Sequence, residues 1–175
     1  TLKSIGELSE ISVREKDLQK YLERVLSRSI SLVVDPVFLL SRKSWNEYLP
    51  PSRLLKDKYI FAYCVSEKSS EVIKISRKIA EEKKYNIVHL DQSLKYGIHG
   101  RNMYGAGPMN FVQLIRDAEI IIASSFHAVA FSIIFGKRFI VVPTEKTSAR
   151  IDCLLEMVGL EDCKVSSYSE FEKKR

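Results

Sequence analysis

The sequence predicts an α/β domain built on a doubly wound, mostly parallel sheet. Three observations carry that prediction. Short β-branched runs alternate with amphipathic helical segments almost throughout the chain. The longer runs are apolar from end to end, as strands covered on both faces are, which argues against a half-exposed antiparallel sheet. No internal repeat or low-complexity stretch competes with this reading.

In chain order, Ile11 to Val13 reads as a strand end. Leu18, Tyr21, Leu22 and Val25 then recur at i, i+3, i+4 and i+7, which predicts a helix with one apolar face. Ser31 to Val34 is a second strand, stopped by Asp35-Pro36. Tyr59 to Val65 is a third. A helix runs from about Ser69 to Lys84 with Val72, Ser76, Ile79 and Ala80 inward, and Asn86 to Leu90 is the next strand. Residues 91–110 break the rhythm with Gly97, Gly100, Gly105, Gly107 and Pro108, and predict a long loop of the kind that carries function. A short helix resumes with Phe111, Leu114, Ile115 and Ala118. Ile120 to Ala123 is an apolar strand, Phe126 to Phe135 a helix ended by Gly136, and Phe139 to Val142 another strand. Ile151, Leu154, Leu155 and Val158 mark a last helix closed by Gly159. The count is about six strands in one domain over 1–163, followed by a polar tail, 164–175, expected to fray or to dock on another domain.

The bulk numbers suit this. The chain has 175 residues, 45% hydrophobic and 29% charged, enough for one domain with a real core. No apolar run approaches the roughly 20 residues of a bilayer span, and the first thirty residues hold no signal-peptide core. Thr1 is not a natural start, so the sequence reads as part of something longer. Cys64, Cys153 and Cys163 show no metal-ligand spacing, which predicts reduced thiols, a cytoplasmic protein and a buried Cys64. The net charge of +6 comes mainly from lysines and arginines interleaved with glutamates on helix faces. No nucleic-acid motif accompanies it. An anionic small molecule, or peripheral contact with an anionic membrane at its inner face, suits that charge equally well.

In an open α/β sheet, ligands bind outside the carboxyl ends of the strands. That rule selects Ser124-Ser125-Phe126-His127, the stretch from Pro143 to Arg150, and the glycine-rich loop. Ser124 and Ser125 end a strand, and His127 begins a helix whose free amides and dipole favour an anion. A histidine placed there can hold or transfer a proton; alternatively a serine caps the helix and His127 packs under a loop. In the second stretch Thr147 or Ser148 is a candidate cap for the last helix. Arg150, in its first turn, then calls for an anionic ligand or an acidic neighbour. There is no GxGxxG, no GxxxxGK[ST], no HExxH and no GxSxG.

Taken in order, several stretches resemble the polysaccharide pyruvyl transferase family: Ile11-Ser12-Val13-Arg14-Glu15, Val34-Asp35-Pro36-Val37-Phe38-Leu39-Leu40 with Trp45, Tyr59 to Tyr63, Gly107-Pro108 with Phe111 to Glu119, and Ser125-Phe126-His127-Ala128 through Ile134. Ala149-Arg150-Ile151 and Leu154-Leu155 before Gly159 complete a resemblance over about residues 10–162. It implies the donor-side, C-terminal half of a GT-B-type enzyme with two Rossmann-like halves. Such an enzyme moves the enolpyruvyl carbons of phosphoenolpyruvate onto two hydroxyls of a sugar or lipid-linked saccharide, giving a pyruvate ketal of a surface polysaccharide or its precursor. The resemblance maps the family's strand-to-helix histidine onto His127 and its SVRE arginine onto Arg14. Ser124, Ser125, Thr147, Ser148 and Arg150 complete the expected donor site.

Ser125 stands where many members have an arginine, and the N-terminal half with the acceptor site is expected to be missing, leaving the fragment inactive alone. A carboxylate and a phosphate require arginines and helix N-termini, and ketal formation requires a proton at the methylene carbon. No metal or redox cofactor is implied, and no nucleic acid. A nucleotide-sugar glycosyltransferase donor domain and a non-catalytic Rossmann-like module remain as alternatives.

Overall fold

The computed structural model describes residues 2–64, 69–90 and 100–175. Its first elements are α1 (Leu2–Gly6), β1 (Ser12–Val13), α2 (Lys16–Leu26) and β2 (Ser31–Leu32), then a 3₁₀ turn at Pro36–Leu39 and α3 (Arg42–Tyr48). β1 and β2 pair in parallel, Ser12 opposite Ser31, as a separate two-stranded sheet. The single six-stranded sheet expected from the sequence is thus replaced by a sheet of five and a ribbon of two. Two-residue strands cannot cover a three-turn helix. Only Leu22 of α2 is buried, against Val13 and Ile30, while Leu18, Tyr21 and Val25 of the predicted inward face remain 41–42% exposed.

The main body comprises β3 (Tyr59–Tyr63), α4 (Ser69–Lys83), β4 (Asn86–His89), β5 (Arg101–Asn102), α5 (Pro108–Asp117), β6 (Ile120–Ala123), α6 (Phe126–Phe135), β7 (Arg138–Val141), α7 (Glu145–Val158) and α8 (Tyr168–Lys174). The five strands lie in the order β5-β4-β3-β6-β7, all parallel, with Tyr63 opposite Ala123 and Ala123 opposite Val141. Alternate residues serve opposite faces. Tyr59, Phe61, Ile121 and Ala123 pack under α5, α6 and α7, and Ile60, Ala62 and Ile122 pack under α4 and α8. Each face has its own core, which is why these strands read as unbroken apolar runs. The predicted doubly wound parallel sheet is therefore present.

Two further expectations need correction. The 91–110 loop contains, in its described part, the edge strand β5, and α5 begins at Pro108 rather than near Phe111 because Pro occupies its first turn after Gly107. Gly100 is required where that edge strand starts: a Cβ there would lie 2.6 Å from the Ile87 carbonyl oxygen. Val65, the predicted end of β3, and residues 91–99, with Gly97, lie outside the described residues. The tail after Lys164 does not fray. The Val165 amide donates to the Val141 carbonyl at 3.0 Å, and Phe171 is buried beneath α8 with Val72 and Ile75 of α4. The Tyr168 amide donates to Glu71 at 2.6 Å, and Arg175 pairs with Glu82.

Some stretches noted in the sequence prove to be braces. Asp35 caps the 3₁₀ turn through the Val37 amide. Trp45 donates to the Val37 carbonyl at 3.2 Å and meets Phe131 of α6 edge-on at 4.9 Å. At the far end of α5, Asp117 accepts the Leu54 amide and Gln113 donates to the Ser52 carbonyl, fastening the segment that enters β3.

Candidate functional site

The strand order reverses between β3 and β6, each continued by a connection leading away from the other. This is the switch point where an open parallel sheet leaves a crevice at its carboxyl edge. Ser124, Ser125 and His127 follow β6 on that edge. Ser124 is fully buried; its amide donates to the Tyr63 carbonyl at 3.0 Å and its hydroxyl to the Cys64 sulfur at 3.2 Å. Cys64 is accordingly half-buried beside the switch point, rather than buried within the strand. Ser125 occupies the N-cap position of α6, yet its hydroxyl makes no cap hydrogen bond. The serine-cap alternative raised by the sequence therefore does not describe α6. No side chain of the cap residue occupies the first-turn amides, and the His127 side chain projects from that turn into solvent.

The next connection, β7 to α7, corrects the expected cap. Thr144, not Thr147 or Ser148, is the N-cap, and α7 begins at Glu145. Thr147 turns its hydroxyl oxygen back to the Thr144 amide at 3.0 Å and lies 3.2 Å from the Ser124 carbonyl, which can accept its proton. This threonine joins the two loops. Ser148 points elsewhere, donating to Asp152 at 2.9 Å and accepting from Lys164 at 3.4 Å. Arg150 lies in the second turn, beyond the strongest part of the helix dipole. Its guanidinium lies over the Phe126 ring at 5.7 Å and approaches Glu15 at 3.6 Å. The acidic neighbour anticipated from the sequence is Glu15, and the Phe126 ring that Arg150 covers also meets the His127 ring edge-on, with centroids 5.6 Å apart.

Arg14, on the ribbon, pairs with Asp35, whose side chain is only 3% exposed. The ribbon reaches the body through Glu15 to Arg150 and through Lys16 to Glu156 at 2.7 Å. The structure thus brings together Ser124, Ser125, His127, Thr147 and Arg150, connects Arg14 only through its neighbour Glu15, and turns Ser148 away. Among the described residues no group of three His, Cys, Asp or Glu side chains could hold a metal ion, and no helix is long and apolar enough to cross a membrane.

Two cavities bear on the site. The larger, about 630 Å³, lies at the amino ends of β3 and β4 beside Tyr59, Arg77 and Tyr85, on the edge opposite His127. Its size does not recommend it, because parallel-sheet ligands gather at the carboxyl ends. The smaller, about 270 Å³, is on that carboxyl edge, between Tyr63 of β3, Leu90 after β4 and the turn before α5. Sequence reasoning missed it. The available signal was the aromatic residue closing β3 at Tyr63 and the Tyr104-Gly105 pair ahead of Pro108.

Comparison with known proteins adds a family and a fold. The family described as polysaccharide pyruvyl transferase matches residues 2–146. No curated protein sequence matches the chain. Among solved structures, a protein from Listeria monocytogenes assigned as a UDP-N-acetylglucosamine 2-epimerase superposes with a TM-score of 0.56 at 12% identity, over 91% of this chain and 53% of that one. The UDP-GlcNAc 2-epimerase of Methanocaldococcus jannaschii gives 0.49 at 14% identity, over 76% of this chain and 40% of that one. This chain spans about half the length of the Listeria protein, and at such identity the likeness speaks to the Rossmann-like fold alone.

Proposed function

The chain belongs to the polysaccharide pyruvyl transferase family, and from that premise we propose that it is the donor-binding half of an enzyme using phosphoenolpyruvate. The observation that carries the reading is an exposed His127 in the uncapped first turn of α6, at the switch point, with the Arg150 guanidinium held over the adjoining Phe126 ring. A helix N-terminus and a guanidinium are the two elements that hold carboxylate and phosphate.

In this reading His127 gives its proton to the methylene carbon of phosphoenolpyruvate, converting CH₂ to CH₃ and leaving an oxocarbenium centre at C2. One saccharide hydroxyl adds to C2, losing its proton to a base. The C2–O bond to phosphate breaks, inorganic phosphate leaves, and a second hydroxyl closes the ketal with loss of its own proton. Arg150 and the α6 amides neutralise the anion throughout, and Arg14 offers the guanidinium N–H groups that Asp35 does not use. A companion N-terminal domain supplies the base and encloses the cleft, so the 175-residue chain alone turns over no substrate. Three thiols outside any disulfide support a cytoplasmic location for the reaction, near the membrane face where lipid-linked saccharides are built.

The test is phosphate release from phosphoenolpyruvate by the intact enzyme supplied with saccharide acceptors. His127→Ala should lower kcat by about 10² to 10⁴. His127→Gln keeps hydrogen bonding without proton transfer and should be nearly as slow. Full turnover by His127→Gln would make the histidine a binding residue only.

A further inference from the structure

The cavity beside β3 has a built rim. Met103, Tyr104, Gly105 and Ala106 form a tight turn in which the Ala106 amide donates to the Met103 carbonyl at 3.0 Å. Gly105 sits at its third position with φ +87°, a left-handed conformation that glycine adopts without strain. The turn is anchored where the chain enters it: the Met103 amide donates to the His89 carbonyl at 2.8 Å, and the Tyr104 amide to Asn102 Oδ1 at 2.9 Å. A rigid turn therefore holds the Tyr104 side chain out in solvent, where the residue is 73% exposed. An exposed aromatic residue on an anchored turn, at the mouth of a cavity, is poor packing and good recognition.

Inside, the wall is the ring pair of Tyr63 and Phe111, with centroids 4.9 Å apart, and Leu90 and Met103 complete the apolar lining. Among the described residues that line it, none is charged. Burial, with the Cys64 thiol beside it, pushes the Tyr63 hydroxyl above its ordinary pKa, so it remains a neutral donor. Gly107 keeps the space open: a Cβ there would meet nothing nearer than Asn110 Oδ1 at 4.0 Å. A cavity slightly below the size of ordinary small-molecule sites, walled by aromatic rings and bordered by open backbone, fits one neutral, polyhydroxylated ring. Such a ring packs its C–H face on tyrosine and phenylalanine and spends its hydroxyls on backbone groups. A nucleobase would also stack, but the diphosphate that follows it in a nucleotide sugar would find no cation among the described lining residues.

We propose that this cavity is a saccharide subsite, in which Tyr104, Tyr63 and Phe111 hold one sugar ring of the acceptor next to the donor at His127. The inference rests on the donor reading given above and adds to it a place for the acceptor on this half of the enzyme. The geometry suits the chemistry, because Tyr63 and Ala123 are paired partners on neighbouring strands, roughly 4.8 Å apart. A ring seated over Tyr63 presents its hydroxyls toward the loop that carries His127.

Saturation-transfer NMR on the 175-residue chain tests this with four probes: methyl galactoside, methyl glucoside, N-acetylmannosamine and uridine, each alone, while phosphoenolpyruvate is titrated separately. At least one saccharide should receive saturation. Tyr104→Ala and Gly107→Val should each weaken it by about tenfold, Tyr104→Trp should restore it, and phosphoenolpyruvate affinity should be the same in all three variants. Tyr104 is exposed and Gly107 has an ordinary φ of −74°, so neither change threatens the fold. Absence of any saccharide signal, saccharide binding indifferent to both variants, or Tyr104-dependent binding of uridine in place of sugar would overturn the proposal. Failure of phosphoenolpyruvate to bind the unmodified chain would instead overturn the donor reading and leave the saccharide result readable.

Discussion

Thr147 separates two accounts of the site, since the sequence offers it as a ligand contact and the structure uses it as a tie between loops. Thr147→Val preserves shape and removes the hydroxyl. Thr144, 5% exposed, then loses the acceptor of its amide proton, and the Ser124 carbonyl loses a donor 3.2 Å away. A buried amide left unpaired costs about 1–3 kcal/mol, and a weakened helix start about 1 kcal/mol, overlapping rather than additive, so about 2 kcal/mol in total is expected. For a chain of this length that is a fall in Tm of roughly 4–8 °C. Because the loosened carbonyl belongs to the residue three before His127, kcat should fall with donor KM little changed, and Thr147→Ser should recover both Tm and kcat. Thermal unfolding by circular dichroism and steady-state kinetics of the intact enzyme supply the measurements. An unchanged Tm with a tenfold rise in donor KM would refute the tie and return Thr147 to the ligand.

Further outcomes follow from the same contacts. Phe171→Ala should cost about 3 kcal/mol, the low end for a buried ring because α8 has solvent on its outer side, and lower Tm by roughly 6–12 °C; a drop below 2 °C would mean that α8 is not docked. Arg175, ahead of Lys78, holds the Glu82 carboxyl down at about 2, and Ser166 with Lys174 holds that of Glu170 at about 2. Both carboxylates are depressed, so their contribution is complete above pH 4.5 and disappears as pH falls toward 2. Hydrogen exchange, corrected for intrinsic rates, should show α8 opening in that window before the sheet does. Arg150→Ala should raise donor KM about tenfold or more, the loss of one charge-assisted contact, whereas Glu15→Gln should lower it; a rise with Glu15→Gln would make Glu15 a holder of Arg150 rather than its competitor.

Most of the main sheet was legible because its strands are covered on both faces and its helices follow with regular apolar spacing; Ile120 to Ala123 and Phe126 to Phe135 needed nothing else. What escaped detection was structure whose stabilisation is not apolar or not local. β5 is Arg101-Asn102, two exposed residues defined solely by backbone pairing to β4. α8 is secured by one buried residue, Phe171, and by partners on α4 far away in sequence: Glu71 for the Tyr168 amide and Glu82 for Arg175. The start of α7 was placed late because its first turn and a half is half-exposed or exposed, and the apolar period begins only at Ile151. In the site, a strand ending in two serines and a helix-start histidine was readable, because strand, turn and helix are consecutive. The pairing of Arg14 with Asp35, twenty-one residues on, and of Arg150 with Glu15 across the fold, left no local trace.

Those two pairings decide which arginine an incoming anion can recruit. Asp35 is 3% exposed at its side chain, so drawing Arg14 away would strand a carboxylate out of water, which costs several kcal/mol when such a pair is broken. Glu15 and Arg150 are both about one-third exposed and only loosely matched at 3.6 Å; a pair of that kind is worth at most about 1 kcal/mol. On the proposed reading a dianion at the α6 N-terminus would exceed that, with the guanidinium already over the Phe126 ring. On the proposed donor reading Arg150 is therefore the recruitable cation, and Glu15 is the carboxylate the anion competes with. Arg14 contributes only with donors that leave Asp35 satisfied, which its five N–H groups permit. Removing the Glu15 charge should accordingly tighten the donor, and its neighbour Arg14 should be sensitive even to Arg14→Lys, which keeps the charge and loses the fork that serves two partners at once.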